Sequence, residues 1–163
     1  MRLFISIAFF SILFFSCKNS NPPAPASPAK AVELGPEVPG IPTDVMVQLL
    51  NQCTYIDYIF KDLPFSVSQN EDPSIDQNIR FIDSSKPVGH LPQNCTPIAR
   101  KFFQINGEIV YDVDVYFSNN CTFYVFVDKQ NKPIYANYMT PAGIEFYNNI
   151  IKQAASAAKS IGQ

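Results

Sequence analysis

The chain has 163 residues, of which 47% are hydrophobic and 16% are charged, and its formal net charge is −2. This composition provides enough apolar material for one domain with a packed core and excludes a wholly disordered chain. It is weakly acidic and has no run of Lys or Arg, so we expect no nucleic-acid partner.

The first 16 residues, MRLFISIAFFSILFFS, have the features of a cleavable leader. Arg2 supplies a positive charge, and Leu3 to Phe15 form a nearly continuous apolar run. Because a stable membrane-spanning helix needs about 18 or more apolar residues, this run is too short to span. The pattern therefore predicts a signal peptide over residues 1–16.

The end of this leader, Leu13-Phe14-Phe15-Ser16-Cys17, resembles the lipobox of bacterial lipoproteins, with Phe14 where that family usually has Leu. The resemblance implies cleavage before Cys17, lipidation of its thiol by diacylglycerol, and acylation of the new amino group by a chain such as palmitate. The alternative is an ordinary secretory leader followed by a chance Cys.

The residues after Cys17, Lys-Asn-Ser-Asn, contain no Asp at the position that retains enterobacterial lipoproteins in the inner membrane. The resemblance therefore implies a place in the cell envelope, anchored by lipid to the outer membrane. Residues 17–42 contain seven Pro and many Ala, a composition that favours extended polyproline II. We interpret them as a tether that holds a single α+β domain, residues 43–159, away from the lipid.

The domain is predicted to begin with an amphipathic helix. Thr43-Asp44 follows Pro42 as an N-cap, and apolar residues recur at helical spacing from Val45 to about Phe60. A shorter helix is predicted from Asp72 to about Ile82, with a Pro-rich loop following it to Pro97. His90, the only His, lies in that loop, so we expect no metal site and no cofactor.

Residues 98–139 alternate apolar and polar or aromatic residues and predict a four-stranded antiparallel meander. Asn106-Gly107 favours a two-residue hairpin turn, and residues 118–120 are interpreted as a three-residue loop. A third turn is predicted over residues 129–132. Thr140-Pro141 then begins a C-terminal helix that packs on the sheet with the first one.

These turns predict a sheet with two unlike faces. The expected core face holds Phe102, Ile109, Tyr111, Val113, Val115, Phe123, Val125, Val127, Ile134 and Ala136. The opposite face, which the short helix could cover, holds Lys101, Phe103, Asp112, Asp114, Tyr116, Tyr124, Phe126, Tyr135 and Asn137.

Three cysteines besides Cys17 remain in the mature chain. Cys95 precedes the first strand of the meander and Cys121 opens the third, so both lie at one end of the sheet. That placement allows, but does not require, a Cys95–Cys121 disulfide in an oxidising compartment. Cys53 would then be a small buried apolar residue.

No catalytic motif is present, and we predict no catalytic residue. The leading hypothesis is a non-enzymatic binding or accessory protein in the envelope. Its candidate partner-binding face is Phe103, Asp112, Asp114, Tyr116, Tyr124, Phe126 and Tyr135, because clustered exposed aromatic side chains are typical of interaction surfaces. The alternative is a small enzyme or ligand carrier that uses the carboxylate pair Asp112 and Asp114.

Overall fold

The computed structural model describes residues 34–118 and 120–161, which form an α+β fold. The predicted leader, the predicted lipidation site Cys17 and residues 18–33 lie outside the described residues. The helices are α1 (Thr43–Gln52), α2 (Asp72–Ile79) and α3 (Pro141–Ile161). The strands are β1 (Glu37–Val38), β2 (Tyr55–Phe60), β3 (Ser66–Gln69), β4 (Ile82–Pro87), β5 (Gly89–His90), β6 (Pro97–Ile105), β7 (Glu108–Ser118), β8 (Cys121–Val127) and β9 (Pro133–Met139).

Seven strands form one antiparallel sheet in the order β3-β2-β6-β7-β8-β9-β4. The predicted four-stranded meander is its centre, β6 to β9, so the sheet is larger than the sequence indicated. The α+β class is confirmed, and the four-strand count is corrected to seven. Strands β1 and β5 pair with each other in a separate ribbon.

The first helix is shorter than predicted, because it ends at Gln52 and the chain continues as strand β2. Residues 55–60, YIDYIF, are aromatic or β-branched except for one Asp, and such residues favour strands. Ile56, Tyr58 and Phe60 are buried at every second position. Ile56 and Phe60 are also four residues apart, a spacing that fits one face of a helix, so the pattern alone does not distinguish a helix from a strand here.

The short second helix is confirmed, since α2 begins at the predicted Asp72. The region around it is more regular than expected, because β3 precedes it and β4 and β5 occupy parts of the predicted loop. Strand β4 lies at an edge of the sheet and ends at Pro87, a position that an edge strand tolerates.

The first hairpin turns at Asn106-Gly107 as predicted, and both residues have positive φ angles, 51° and 84°. Ile105 pairs with Glu108, but the register then shifts so that Phe103 faces Tyr111. A bulge of one residue in β7 causes this shift. Three consecutive apolar residues, 109–111, do not specify the register, so alternation alone could not reveal the bulge.

The second hairpin has a two-residue turn instead of the predicted three-residue loop, because Ser118 pairs with Cys121. Asn120 has a φ angle of 71°, a left-handed conformation that Asn tolerates well. Val115 consequently faces Tyr124, and Asp114 faces Val125. The third turn agrees with the prediction for two residues, since Ala136 pairs with Val125 and Tyr138 with Phe123. A register shift between Phe126 and Val127 places Ile134 against the main core instead, so its predicted side is wrong.

The main core lies between the sheet and the helices. Leu49 of α1, Ile75 and Ile79 of α2, and Tyr147 of α3 belong to one buried cluster with residues of the sheet. Helix α2 therefore packs on the same side as α1, whereas the sequence placed it across the sheet. Helix α3 begins as predicted, because the Thr140 hydroxyl accepts a hydrogen bond from the Gly143 N–H at 3.3 Å.

Residues 34–42, which the sequence assigned to the tether, belong to the folded unit. Val38 packs on the sheet face opposite the helices, and Ile41 packs in the main core. The Pro39 carbonyl accepts a hydrogen bond from the Ala136 N–H at 2.8 Å. The Ile41 N–H donates to the buried Asn137 side chain at 2.6 Å. This segment therefore passes beside β9 from one face of the sheet to the other.

Candidate functional site

The structure divides the predicted partner-binding face between the two sides of the sheet. Phe103, Tyr124 and Phe126 are fully buried beneath the helices, and Tyr135 packs beside Phe126 on the same side. That part of the prediction is wrong, because the bulge in β7 and the two-residue turn before β8 each move the flanking strand by one residue. A one-residue shift transfers every side chain to the opposite face.

Asp112, Asp114 and Tyr116 do lie on the side opposite the helices. Their partners follow from the pairing of the strands. One cross-strand row contains Asp57, Phe102 and Asp112, and the next contains Ile59, Arg100 and Asp114. We call these six residues the open sheet face: Asp57, Ile59, Arg100, Phe102, Asp112 and Asp114.

Arg100 binds the two carboxylates that the sequence singled out. Its Nε donates to Asp114 Oδ1 at 3.0 Å, and its Nη2 lies 3.0 Å from the same oxygen. Its Nη1 lies 4.0 Å from Asp112 Oδ2 and donates to Asn131 Oδ1 at 2.6 Å. The sequence placed Lys101 on the same face as Asp112 and Asp114, whereas the structure supplies the positive charge of that face from the neighbouring residue, Arg100.

This arrangement affects the chemistry of the carboxylate pair. The guanidinium hydrogen-bonds one oxygen of Asp114, lies within ion-pair distance of Asp112 and balances one of the two charges. Across the described ranges, no group of three or more His, Cys, Asp or Glu side chains could hold a metal ion. The open sheet face nevertheless remains acidic, because it has three carboxylates and one guanidinium.

Exposed apolar side chains accompany these charges. Ile59 is 53% exposed, and Phe102 beside it on the neighbouring strand is partly exposed. Ser68 extends the row to β3 and donates to Asp57 Oδ1 at 2.7 Å. The open sheet face therefore combines apolar contact area with fixed charges, the composition of the rim and centre of many protein interfaces.

Another part of this side of the sheet is covered. Val38 of β1, the partly buried Leu91 and the half-cystine Cys121 pack with Phe123 and Val125 in a second, smaller core. A disulfide joins Cys95 to Cys121, with their Cα atoms 6.0 Å apart. It holds the segment after β5 against β8, and it joins the pair that the sequence placed at one end of the sheet.

Lys101 is the feature that sequence reasoning misplaced most. It was assigned to a polar face, but it lies in the main core with no exposed surface. Its Nζ donates to the Asn78 carbonyl, at the end of α2, at 3.2 Å. It also lies 4.4 to 5.3 Å from the ring centres of Phe103, Tyr58 and Tyr124. No salt bridge to Lys101 occurs within the described residues.

Burial lowers the pKa of Lys101 to about 7, because the core disfavours the charged ammonium. The same desolvation raises the pKa values of Tyr58, Tyr124 and Tyr147 well above their usual range. Tyr58 donates a hydrogen bond to the Asn78 side chain, which donates in turn to Gln69. The hydroxyls of Tyr124 and Tyr147 influence one another's pKa but make no hydrogen bond of normal geometry with a described residue.

Lys101, Tyr58, Asn78 and Gln69 are connected to one another, and we call them the lysine cluster. The Lys101 side chain is closed to solvent, so it cannot act on a ligand in the described conformation. The lysine cluster links α2 to β2, β3 and β6 through polar contacts, a structural task. A signal for it existed in the sequence: Ala99, Lys101 and Phe103 alternate on one face of β6, and two of the three are apolar. The pattern was assigned to the wrong side with the rest of the register.

Cys53 and His90 complete the residues of interest. Burial raises the pKa of the Cys53 thiol, which favours the unreactive protonated form. The thiol donates to the Tyr55 carbonyl at 3.4 Å. His90 lies on β5 and is exposed, and its Nδ1 lies 3.0 Å from the Gly35 carbonyl oxygen. Neither residue has a catalytic setting.

No protein-family model matches this chain, and no curated protein or solved structure matches it either. The residues from 34 to 118 and from 120 to 161 include no helix that is both long and apolar enough to cross a membrane.

Proposed function

We propose that this chain is a lipid-anchored protein of the bacterial cell envelope that acts as a non-enzymatic binding or accessory module. Lipid on Cys17 would hold it on a membrane, with the outer membrane favoured by the residues after Cys17. The open sheet face would contact a partner protein in the envelope. The anchor rests on the resemblance of residues 13–17 to a lipobox.

The open sheet face is the observation that carries the binding proposal. It presents Ile59, 53% exposed, next to Phe102 on a rigid antiparallel sheet. The acidic side chains around them are fixed by hydrogen bonds and an ion pair, so little side-chain entropy is lost when a partner binds. Its negative charge favours a partner surface that carries Lys or Arg.

The alternative, a small enzyme or ligand carrier that uses Asp112 and Asp114, has weaker support. General acid–base catalysis by two carboxylates requires one of them to hold a proton. Arg100 already donates to Asp114 Oδ1 at 3.0 Å and lies 4.0 Å from Asp112 Oδ2, so both carboxylates already have a cationic partner. A catalytic role would also require Arg100 to be displaced by the substrate.

The binding proposal can be tested by site-specific photo-crosslinking in intact bacterial cells. A photoreactive residue at position 59 is compared with one at position 47, since Ile59 and Val47 are similarly exposed, 53% and 49%, on different surfaces. We expect a discrete crosslinked partner from position 59 that weakens at high salt, and no such product from position 47. Equal or absent crosslinking at both positions would contradict the proposal.

A further inference from the structure

The outer edge of β3 lies at one end of the seven-stranded sheet. In the part of the chain that the structure describes, no strand pairs with this edge. Alternate residues of an edge strand direct their backbone N–H and C=O groups away from the sheet. An open edge of this kind is suited to pairing with another extended strand.

The opposite edge of the sheet, β4, is protected in ways that β3 is not. Its pairing with β9 is irregular between Ile82 and Pro87. It ends in Lys86-Pro87, and Lys86 forms an ion pair with Asp83 at 3.0 Å. Irregular register, Lys and Pro are the features by which natural sheets prevent edge-to-edge association.

Strand β3 has none of these protective features. It reads Ser-Val-Ser-Gln from 66 to 69, with neither charge nor Pro within it. Exposed apolar side chains gather beside it: Ile59 pairs with Ser66, and Phe65, 38% exposed, comes just before the strand. The edge therefore offers hydrogen bonds together with apolar contact area.

We propose that β3 is a homotypic association site, at which a second copy of this chain pairs antiparallel with the first and joins the two sheets. The strand is self-complementary when Val67 faces Val67 of the second copy. Ser66 then faces Ser68 of the second copy on the side of the open sheet face. No like charges meet within the paired residues, because β3 itself carries no charged side chain.

This pairing makes the open sheet faces of two copies continuous. The contact is small, since each strand has four residues, and small interfaces give weak complexes. We expect a dissociation constant of about 100 µM or lower for the full-length chain in mild detergent, which is within the range of transient dimers.

Sedimentation equilibrium measures the dissociation constant of the dimer for the wild-type chain and for variants that place charges on β3. The double change Ser66→Lys and Ser68→Lys sets lysine against lysine in both serine pairs of the dimer. We expect the dissociation constant to rise by about tenfold or more, because like charges directly opposite each other destabilise a strand pair. The matched control, Ser84→Lys with Ser85→Lys on β4, should leave it within about twofold.

A mixing experiment separates loss of the interface from damage to the fold. The double-lysine chain mixed with a Ser66→Asp chain should associate again, because the introduced lysine at position 68 then faces the introduced aspartate at position 66. In addition, Val67→Cys in a Cys17→Ser background should form an interchain disulfide under mild oxidation that the Cys17→Ser chain, with its buried Cys53, does not form. A wild-type chain that stays monomeric at millimolar concentration, or a dimer indifferent to these charges, would overturn the proposal.

Discussion

At the scale of single residues, the Lys101 ammonium group loses all of its contact with water, and its contacts in the core compensate for only part of that loss. The Asn78 carbonyl and three aromatic rings stabilise its ammonium group. Cation–π contacts contribute up to about 2 kcal/mol each when desolvated, whereas the effective penalty for burying an ion is several kcal/mol. Burial prevails, which is why the pKa falls instead of rising.

The buried lysine predicts a specific dependence of stability on pH. Between about pH 7 and about pH 10, the unfolded chain holds the Lys101 proton and the folded chain does not, so stability rises with pH. Because about half of the folded chains still hold this proton at pH 7 and the slope approaches about 1.4 kcal/mol per pH unit only above it, we expect a gain of about 2 kcal/mol between pH 7 and pH 9. Above about pH 10 the unfolded chain ionises its tyrosines, while Tyr58, Tyr124 and Tyr147 stay protonated in the core, and stability falls. Urea unfolding at several pH values measures both effects.

The variant Lys101→Met should remove the rise between pH 7 and pH 9. At pH 6 it should be more stable than the wild-type chain by about 1–3 kcal/mol, after about 1 kcal/mol is lost with the hydrogen bond to Asn78. Lys61→Met, at an exposed position, is the control and should preserve the rise. A wild-type chain whose stability is flat from pH 7 to pH 9 would show that Lys101 is charged in the core.

Sequence reasoning found individual residues more readily than their surroundings. It identified Cys95, Cys121, Asp112 and Asp114, because cysteines and spaced carboxylates stand out in any sequence. It could not find the Arg100 ion pair or the lysine cluster, because both depend on register. Register here was decided by one bulged residue and one turn of two residues.

At the scale of elements, the signals that succeeded were local and chemical. Asn106-Gly107 specified its turn, and Thr140-Pro141 specified the start of α3. Hydrophobic periodicity gave a wrong prediction at the junction of α1 and β2. Apolar residues recur at helical spacing over residues 45–60, but the helix ends at Gln52. The end of α1 is decided by packing of β2 against β6, whose paired residues lie 39 to 49 positions apart in the chain.

The disulfide is the element-scale feature whose contribution can be measured directly. Cys95 and Cys121 are 26 residues apart, and a loop of that size contributes about 3.5 kcal/mol in the chain-entropy model. We expect the double variant Cys95→Ser with Cys121→Ser to lose about 3 kcal/mol of unfolding free energy. Denaturant titration with and without reductant provides the measurement.

A second variant tests the specificity of that result. Cys53→Ser leaves the disulfide intact, so reductant should still lower its stability by the same amount as in the wild-type chain. If the double Ser variant instead matches the wild-type chain, the bridge contributes nothing to stability and serves only to position the segment after β5.

At the scale of the whole molecule, the sheet has one side covered by three helices and another side covered only in part. This division could not be read from the sequence, because both sides carry apolar and aromatic residues. Phe103 and Phe102 are adjacent phenylalanines on opposite sides, one buried and one partly exposed. The alternation of residues along the strands therefore predicts two unlike faces, but it places several residues on the wrong face.

The proposed anchor makes a prediction at this scale too. Cys17→Ser removes the thiol that would carry the lipid, and acyl chains contribute about 0.8 kcal/mol of membrane affinity per buried CH₂. We expect the wild-type chain in the membrane fraction of bacterial cells and the variant in the soluble fraction. Cys53→Ser is the matched control and should stay with the membranes. A wild-type chain that is already soluble would contradict the anchor.

The path of residues 34–42 has a mechanical consequence. A pull transmitted along the chain towards Leu34 first loads the hydrogen bonds that the Gly35 and Pro36 carbonyls accept from the His90 ring and the Leu91 N–H. Leu91 lies four residues before Cys95, which is covalently joined to β8 in the sheet. Tension would therefore pass through a covalent bridge into the interior of the sheet and would not peel the fold from an edge.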